Sequence, residues 1–249
     1  MRVDLIYYPA DAARLLVFSK KTRLLRSVAD YQAVLDMPQE QLSAELDYVF
    51  KTIGSSLEFV DYVFLISGVT RAFTHQLVRH RVGVAYAQQS QRTVDVSDSF
   101  DYLATGLCKD LPQYHSAMAA IKQAYAACID SGAHPQDARG LLPTNTLTNI
   151  LFKVNLRTLS HIMNVRLCFK TQGEFQSVAD AMRSAILSVH PWAEPVLRVH
   201  CAQYGNCIFP GFEQCPVRPA LSVNNLHSIN DLWKKSWDIV NTPMTEDGE

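Results

Sequence analysis

Between Arg79 and Arg92, fourteen residues hold three arginines, one histidine and four amide or hydroxyl side chains: Arg79-His80-Arg81 and then Gln88-Gln89-Ser90-Gln91-Arg92. Arginine stays charged and grips phosphate oxygens with a planar fork, while glutamine offers both a donor and an acceptor to the edge of a base. The formal net charge of the whole chain is −1, so this positive cluster is local. It suits a compact anion such as a nucleotide better than the long backbone of a nucleic acid. The competing reading is a solvated helix face. The neighbouring sequence argues against it, because Leu57 to Ile66 is a β-rich apolar run, Ser67-Gly68 breaks it, and Val69, Phe73, Leu77 and Val78 follow at helical spacing. The arginines should therefore sit at the end of a helix packed on a core.

A second pattern lies downstream. In a helix from Asn155 to about 166, Arg157 and His161 are four apart and share a face, flanked by Leu156, Leu159, Ile162, Met163 and Val165. Arg166 emerges at the far end. Gln88, Ser90 and Arg92 are two apart, so an extended segment would point an amide, a hydroxyl and a guanidinium to one side. Arg139, near a helix end before Pro143, could bring a second fork to the same phosphate.

The elements that must hold these groups can be read coarsely. Strands are expected at 3–8, 57–66 and 144–154, and helices at about 39–53, 69–78, 111–131, 135–141, 155–166, 173–189 and 193–203. Lys20-Lys21-Thr22-Arg23 reads as irregular, and 95–98 as the start of a loop. Trp233 and Trp237 suggest the apolar stripe of a docking helix. Strands that each feed a helix indicate an α+β domain with a small, mostly antiparallel sheet packed with long helices. The 249 residues, 48% of them hydrophobic, suffice for one sizeable core. The expectation is a single catalytic domain over 1–240 and a polar tail over 241–249.

The Arg-His-Arg triplet, the following Ser-x-Arg, the upstream Ser55-Ser56-Leu57-Glu58 and the downstream Asn155-Leu156-Arg157 together resemble the flavin-dependent thymidylate synthase family, ThyX. The resemblance spans roughly residues 50 to 190 and is strongest at 76–92 and 138–174. The family signature has seven residues between the triplet and the serine, whereas eight, Val82 to Gln89, stand here. The extra residue falls in Val82-Gly83-Val84-Ala85. Two further departures are Gln88, where the family often has an acidic residue, and His161, where it has asparagine.

This resemblance implies a ThyX-like fold and a division of labour. Gln76, Arg79, Gln88, Gln89, Ser90, Gln91, Arg92, Arg139 and Arg166 match the pyrimidine-nucleotide contacts. Ser55, Glu58, Arg79, His80, Arg81, Gln88, Asn155, Arg157 and His161 match positions that line the flavin. The implied reaction is C5-methylation of a uridylate, dUMP and in some relatives UMP, with FAD as cofactor and methylenetetrahydrofolate and NADPH as co-substrates. One branch of the family does this in nucleoside-antibiotic biosynthesis. Arg166, at the N3 and O4 edge, would be the catalytic cation that stabilises the developing enolate. The family assembles as a homotetramer, and the same is expected here.

Other classes are weighed on the same residues. A non-catalytic nucleotide-binding or nucleic-acid-binding module would use the arginines without needing Asn155-x-Arg157. A diverged pyrimidine hydroxymethylase would keep the site and alter the product. The nucleophilic cysteine of the unrelated thymidylate synthase, set in Pro-Cys-Gln, is absent, and Ser90 lacks triad partners and reads as a binding residue. No dinucleotide fingerprint appears, so a flavin would not bind in the Rossmann manner. Cys108, Cys128 and Cys168 read as buried thiols. His200, Cys201, Cys207, Cys215 and His227 have spacings unlike paired zinc ligands, so no metal is expected. No apolar run reaches membrane-span length, and the first residues read as a strand, which leads to the expectation of a cytoplasmic protein with no nucleic-acid or membrane partner.

Overall fold

The computed structural model describes residues 1–209, 211, 213 and 215–217. In chain order the elements are β1 (Arg2–Tyr7), α1 (Ala12–Leu24), α2 (Tyr31–Leu35), α3 (Gln39–Phe50), a 3₁₀ turn (Gly54–Phe59), β2 (Asp61–Thr70), α4 (Arg71–Leu77) and β3 (Val84–Gln88). There follow α5 (Pro112–Asp130), α6 (Pro135–Ala138), a 3₁₀ turn (Arg139–Leu141), β4 (Leu147–Asn155), α7 (Leu156–Arg166), α8 (Gly173–Val189), a 3₁₀ turn (Pro191–Val196) and α9 (His200–Tyr204). The fold class is α+β, as the sequence indicates. Backbone contacts divide the chain into one unit of Met1–Pro9 with Asp61–Val154 and another of Ala10–Val60 with Asn155 onward.

The first unit is built on a four-stranded sheet in the order β1-β2-β4-β3. The β1–β2 and β3–β4 pairs are antiparallel, the latter in unbroken register from Val84↔Val154 to Gln88↔Ile150. Period-two alternation places Tyr62, Phe64 and Ile66 of β2 and Ile150, Phe152 and Val154 of β4 fully inside. Each such side chain contributes on the order of 1.5–3 kcal/mol by leaving water. Past β2, the Arg71 and Ala72 amides donate to the Thr146 and Thr144 carbonyls at 3.1 and 2.8 Å, tying the start of α4 to the segment entering β4.

Several boundaries differ from expectation. Ser67-Gly68 does not end the strand, which runs on to Thr70. Gly68 takes a left-handed conformation with φ +65° and donates its amide to Asn149 Oδ1 at 3.1 Å, so a side chain absorbs the irregularity. Leu57 and Phe59 belong to a 3₁₀ turn instead of a strand. The α5 helix forms where the periodicity places it, yet only Met118 and Tyr125 of its face are buried.

In the second unit, the irregular reading of Lys20 to Arg23 is overturned, because these residues continue α1. Lysine and arginine are good helix formers. Lys20 and Lys21 both reach Glu45 of α3, and the Lys20 ammonium lies 3.9 Å from the centre of the Tyr48 ring. Helix α7 buries Leu156, Leu159, Ile162 and Met163 and packs on α8 and α9. The α8 bounds agree with the sequence reading. The helix expected at 193–203 is instead a 3₁₀ turn followed by the short α9, because Pro195 and Val199 interrupt it. Trp233, Trp237 and the tail at 241–249 lie outside the described residues.

Candidate functional site

In the first unit the cationic segment is assembled around α4. Thr70 caps the helix by accepting the Phe73 amide at 3.0 Å. At the other end the Arg79 and His80 amides turn back to the Gln76 and Leu77 carbonyls at 3.3 and 3.1 Å, so the triplet leaves the helix in a tight turn. Arg79 and Arg81 are exposed, and His80 and Gln76 are half-buried. The chain bends at Val82-Gly83, within the stretch where the longer spacing falls, and Gly83 has φ +68° before β3 begins at Val84.

The extended segment assumed for Gln88 to Arg92 stops at Gln88. Gln88 donates its amide to Thr74 Oγ1 at 2.9 Å, which leaves its carbonyl oxygen as an acceptor. Ser90 then opens a turn: its hydroxyl accepts the Arg92 amide at 3.2 Å and its carbonyl accepts the Val94 amide at 3.1 Å. Strand alternation therefore does not align Ser90 and Arg92. Side-chain-to-backbone competition of this kind is what serine does at strand ends.

Arg71 was not singled out from sequence. It is the first residue of α4 and donates to the Gln89 carbonyl at 3.1 Å. Burial, and then the like charge of Arg139, push its guanidinium below its ordinary value. Arg139, exposed at the start of its 3₁₀ turn, is thus drawn to the same neighbourhood. Among the described residues Arg71, Arg79, Arg81, Arg92 and Arg139 form no salt bridge with a carboxylate. Positive groups left without counter-charge near a turn rich in amides are chemically suited to an anion. The signal that could have found Arg71 is its position directly after a threonine cap, where a helix begins.

The second unit carries the other set. The turn Gly54–Phe59 packs against α1 and α7. Beside it lies a cavity of about 320 Å³ lined by Leu15, Phe18, Ser19, Thr22, Arg23, Ser55, Ser56 and Phe59. Arg23 donates to the buried Ser56 hydroxyl at 3.4 Å. Glu58 and Arg157 form an exposed ion pair. An apolar, partly aromatic hollow with a guanidinium and hydroxyls at its edge fits a flat heterocycle attached to a phosphate. Phe18, Thr22 and Arg23 were missed because the sequence reading places no helix before residue 39 and reads Lys20 to Arg23 as irregular.

Asn155, 6% exposed, caps α7 by accepting the Thr158 amide at 2.9 Å. One lone pair of its carbonyl oxygen is thereby used, which leaves its amide nitrogen as the freer group. Arg157 and His161 are both exposed on one face of α7, as their spacing requires. Arg166 is half-buried at the C-terminal end of α7, its guanidinium 4.4 Å from the centre of the Phe175 ring. Burial lowers its proton affinity, yet guanidinium remains a cation at working pH. Its Nε is buried without a hydrogen-bond partner among the described residues. A desolvated fixed cation of this kind is suited to stabilising developing negative charge.

Among the described residues no group of three or more His, Cys, Asp or Glu side chains is arranged to hold a metal. His200 is hydrogen-bonded to Asn206 at 2.6 Å, and His227 lies outside the described residues. Cys108, Cys128 and Cys168 are half-exposed, which corrects their reading as buried thiols. Cys201 is pushed up to about 12 by burial and by the nearby Cys168, Cys215 and Cys207. No helix among the described residues is long and apolar enough to cross a membrane.

Against known proteins, the family model described as thymidylate synthase complementing protein matches residues 4–192. The flavin-dependent thymidylate synthase of Pyrococcus furiosus is 34% identical over 195 residues, covering 73% of this chain and 75% of its own. That of Geobacter sulfurreducens is 37% identical over 169 residues, covering 63% and 72%. Among solved structures, Helicobacter pylori ThyX complexed with FAD and dUMP has a TM-score of 0.60 at 17% identity, over 78% of this chain and 97% of that one. The UMP/dUMP methylase PolB from Streptomyces cacaoi, bound with 5-Br dUMP, gives 0.63 at 20% identity, over 78% and 93%. At such identities the likeness is one of fold.

Proposed function

Because the chain belongs to the thymidylate synthase complementing protein family, we propose that it is a flavin-dependent methylase acting at C5 of a uridylate nucleotide. The substrate is dUMP and the cofactor FAD, as the names of its relatives indicate. The finer reading adds UMP as a second substrate, methylenetetrahydrofolate as carbon donor and NADPH as reductant. It further assigns one catalytic domain over 1–240, a homotetramer and a cytoplasmic location.

The observation that carries the reading is Arg71 at the start of α4, which donates to the Gln89 carbonyl at 3.1 Å and whose guanidinium is lowered by burial and then by the like charge of Arg139. A nucleotide monophosphate dianion would relieve that repulsion, with Arg79 and Arg92 as further ligands and Gln76, Gln89, Ser90 and Gln91 reading sugar and base. The free carbonyl oxygen of Gln88 suits a ribose 2′-hydroxyl, which supports UMP as an alternative substrate. The cavity beside Ser55 would take the adenine end of the flavin, with Arg23 near its diphosphate. Glu58, Asn155, Arg157 and His161 are the further flavin-lining positions that the family resemblance implies in the second unit, and Arg79, His80, Arg81 and Gln88 those it implies in the first.

When bound and first reduced by NADPH, the flavin would supply the hydride that turns a transferred one-carbon unit into a methyl group. The protein's share is orientation and charge. C5 of uracil is a poor nucleophile until negative charge builds on the N3–C4–O4 edge. Arg166, desolvated against Phe175, would stabilise that charge as it forms and cost no reorganisation at that moment.

Anaerobic turnover with FAD, NADPH and methylenetetrahydrofolate, offering dUMP and UMP separately and weighing the products, tests the whole reading. Gain of one methyl group is expected on dUMP, and on UMP if the sugar assignment holds. A colourless protein that binds nucleotide without FAD would return the arginines to a binding module.

A further inference from the structure

We propose that Tyr86 is a positioning residue for the Arg79-His80-Arg81 triplet, and that it confines the slack of the longer loop to Val82-Gly83. The proposal rests on the function inferred above. Tyr86 stands on β3, and its ring stacks on Phe152 of β4 with centroids 5.2 Å apart and planes 8° from parallel. Its hydroxyl lies 2.9 Å from the Leu77 carbonyl and 2.8 Å from the His80 carbonyl. A phenol has one proton, so the two oxygens share it in a three-centre bond.

The two acceptors matter by their place. Leu77 is the last residue of α4, and His80 is the middle residue of the triplet. One side chain therefore pins the helix end and the triplet backbone to the sheet. Because β3 keeps unbroken register with β4, the backbone ladder fixes where Tyr86 stands even apart from its stacking on Phe152. The chain from His80 to Tyr86 is a closed loop anchored at both ends, and its left-handed turn falls at Gly83. A difference in loop length would be taken up there, beside the exposed Val82, beyond the anchored His80 carbonyl and away from Arg79. Burial pushes the phenol up to about 12, which keeps it a donor throughout the working pH range.

The test is Tyr86→Phe, which keeps the stacking and removes the shared proton, with Phe152→Leu as the control that loosens the strand pair and keeps the phenol. Hydrogen exchange of the flavin-free protein should be roughly tenfold faster at residues 79–83 in Tyr86→Phe and unchanged there in Phe152→Leu. In turnover, Tyr86→Phe should raise the flavin Kd and the dUMP KM roughly five- to twentyfold, with kcat within about threefold. Phe152→Leu should lower the melting temperature and leave both constants within about twofold. If the native protein binds flavin and turns over while Tyr86→Phe matches it, the proposal fails alone. Equal losses in both variants would reduce Tyr86 to a structural residue. If the native protein takes up no flavin, the functional reading fails and this proposal with it.

Discussion

The arginine-bearing segment of the first unit and the cavity-bearing segment of the second solve opposite electrostatic problems. Around Arg71, Arg79, Arg81, Arg92 and Arg139, positive charge is left without carboxylate partners, and the nearby polar side chains are fixed on backbone or on Thr74. Around the turn at 54–59, Arg157 is already matched by Glu58, Asn155 is committed to a cap, and the remaining space is apolar. The first arrangement offers unmatched positive charge to an anion. The second is a preformed hollow that gains chiefly by excluding water. Loss of a charge should therefore be severe in the first region and mild in the second, whereas loss of volume should matter only in the second.

The sharpest break comes from the cation that the sequence marks for chemistry. Arg166→Lys should lower kcat by about 10²–10³ while dUMP KM moves little, since a point charge cannot keep the guanidinium's planar fit against Phe175. Single-turnover kinetics under anaerobic conditions would show it. Arg71→Met is expected next, with dUMP KM raised roughly 10- to 100-fold and flavin affinity unchanged. Calorimetric titration of each ligand separates the two. If flavin affinity falls equally, the two regions are not distinct in function.

Volume is tested by Thr22→Phe, an exposed helix position lining the cavity. Flavin Kd should rise roughly tenfold with little change in melting temperature. The pH response sharpens the comparison differently, because burial raises Tyr62 and Tyr86 in the first unit and Cys201 in the second. A folded-state value above the unfolded one means that the neutral form is favoured by folding. That stability is fully present below the unfolded values, about 8.5 for the thiol and 10 for the phenols, and is lost as pH rises toward 12. Urea midpoints should be insensitive to these groups through neutral pH and fall above about pH 9, with tyrosinate absorbance appearing together with unfolding. The smallest effect belongs to Glu58→Gln. This exposed ion pair is worth about 0–1 kcal/mol, so flavin Kd should change by less than about threefold.

The segments from 135 to 189 were legible because their signals are local. A proline start, a threonine-rich apolar run, an asparagine cap and 3.6-residue periodicity all agree there, and α8 has the bounds read from sequence. Lys20 to Arg23 misled because their helix is held by a distant carboxylate, Glu45, and by Tyr48. Ser90 and Arg92 misled in the other direction. Their spacing suits a strand, but the serine hydroxyl captures a backbone amide and turns the chain.

The sequence by itself determined the fold class and, through a resemblance carried by its motifs, the family, because motif spacing and periodicity are properties of neighbouring residues. Only the tertiary structure decided that Arg71 joins Arg139, that α1 walls a cavity beside Ser55, and that Tyr86 holds the triplet. Each of these depends on which groups share a buried or half-buried space after residues far apart in the chain have packed, and electrostatic repulsion, excluded volume and shared protons act through space.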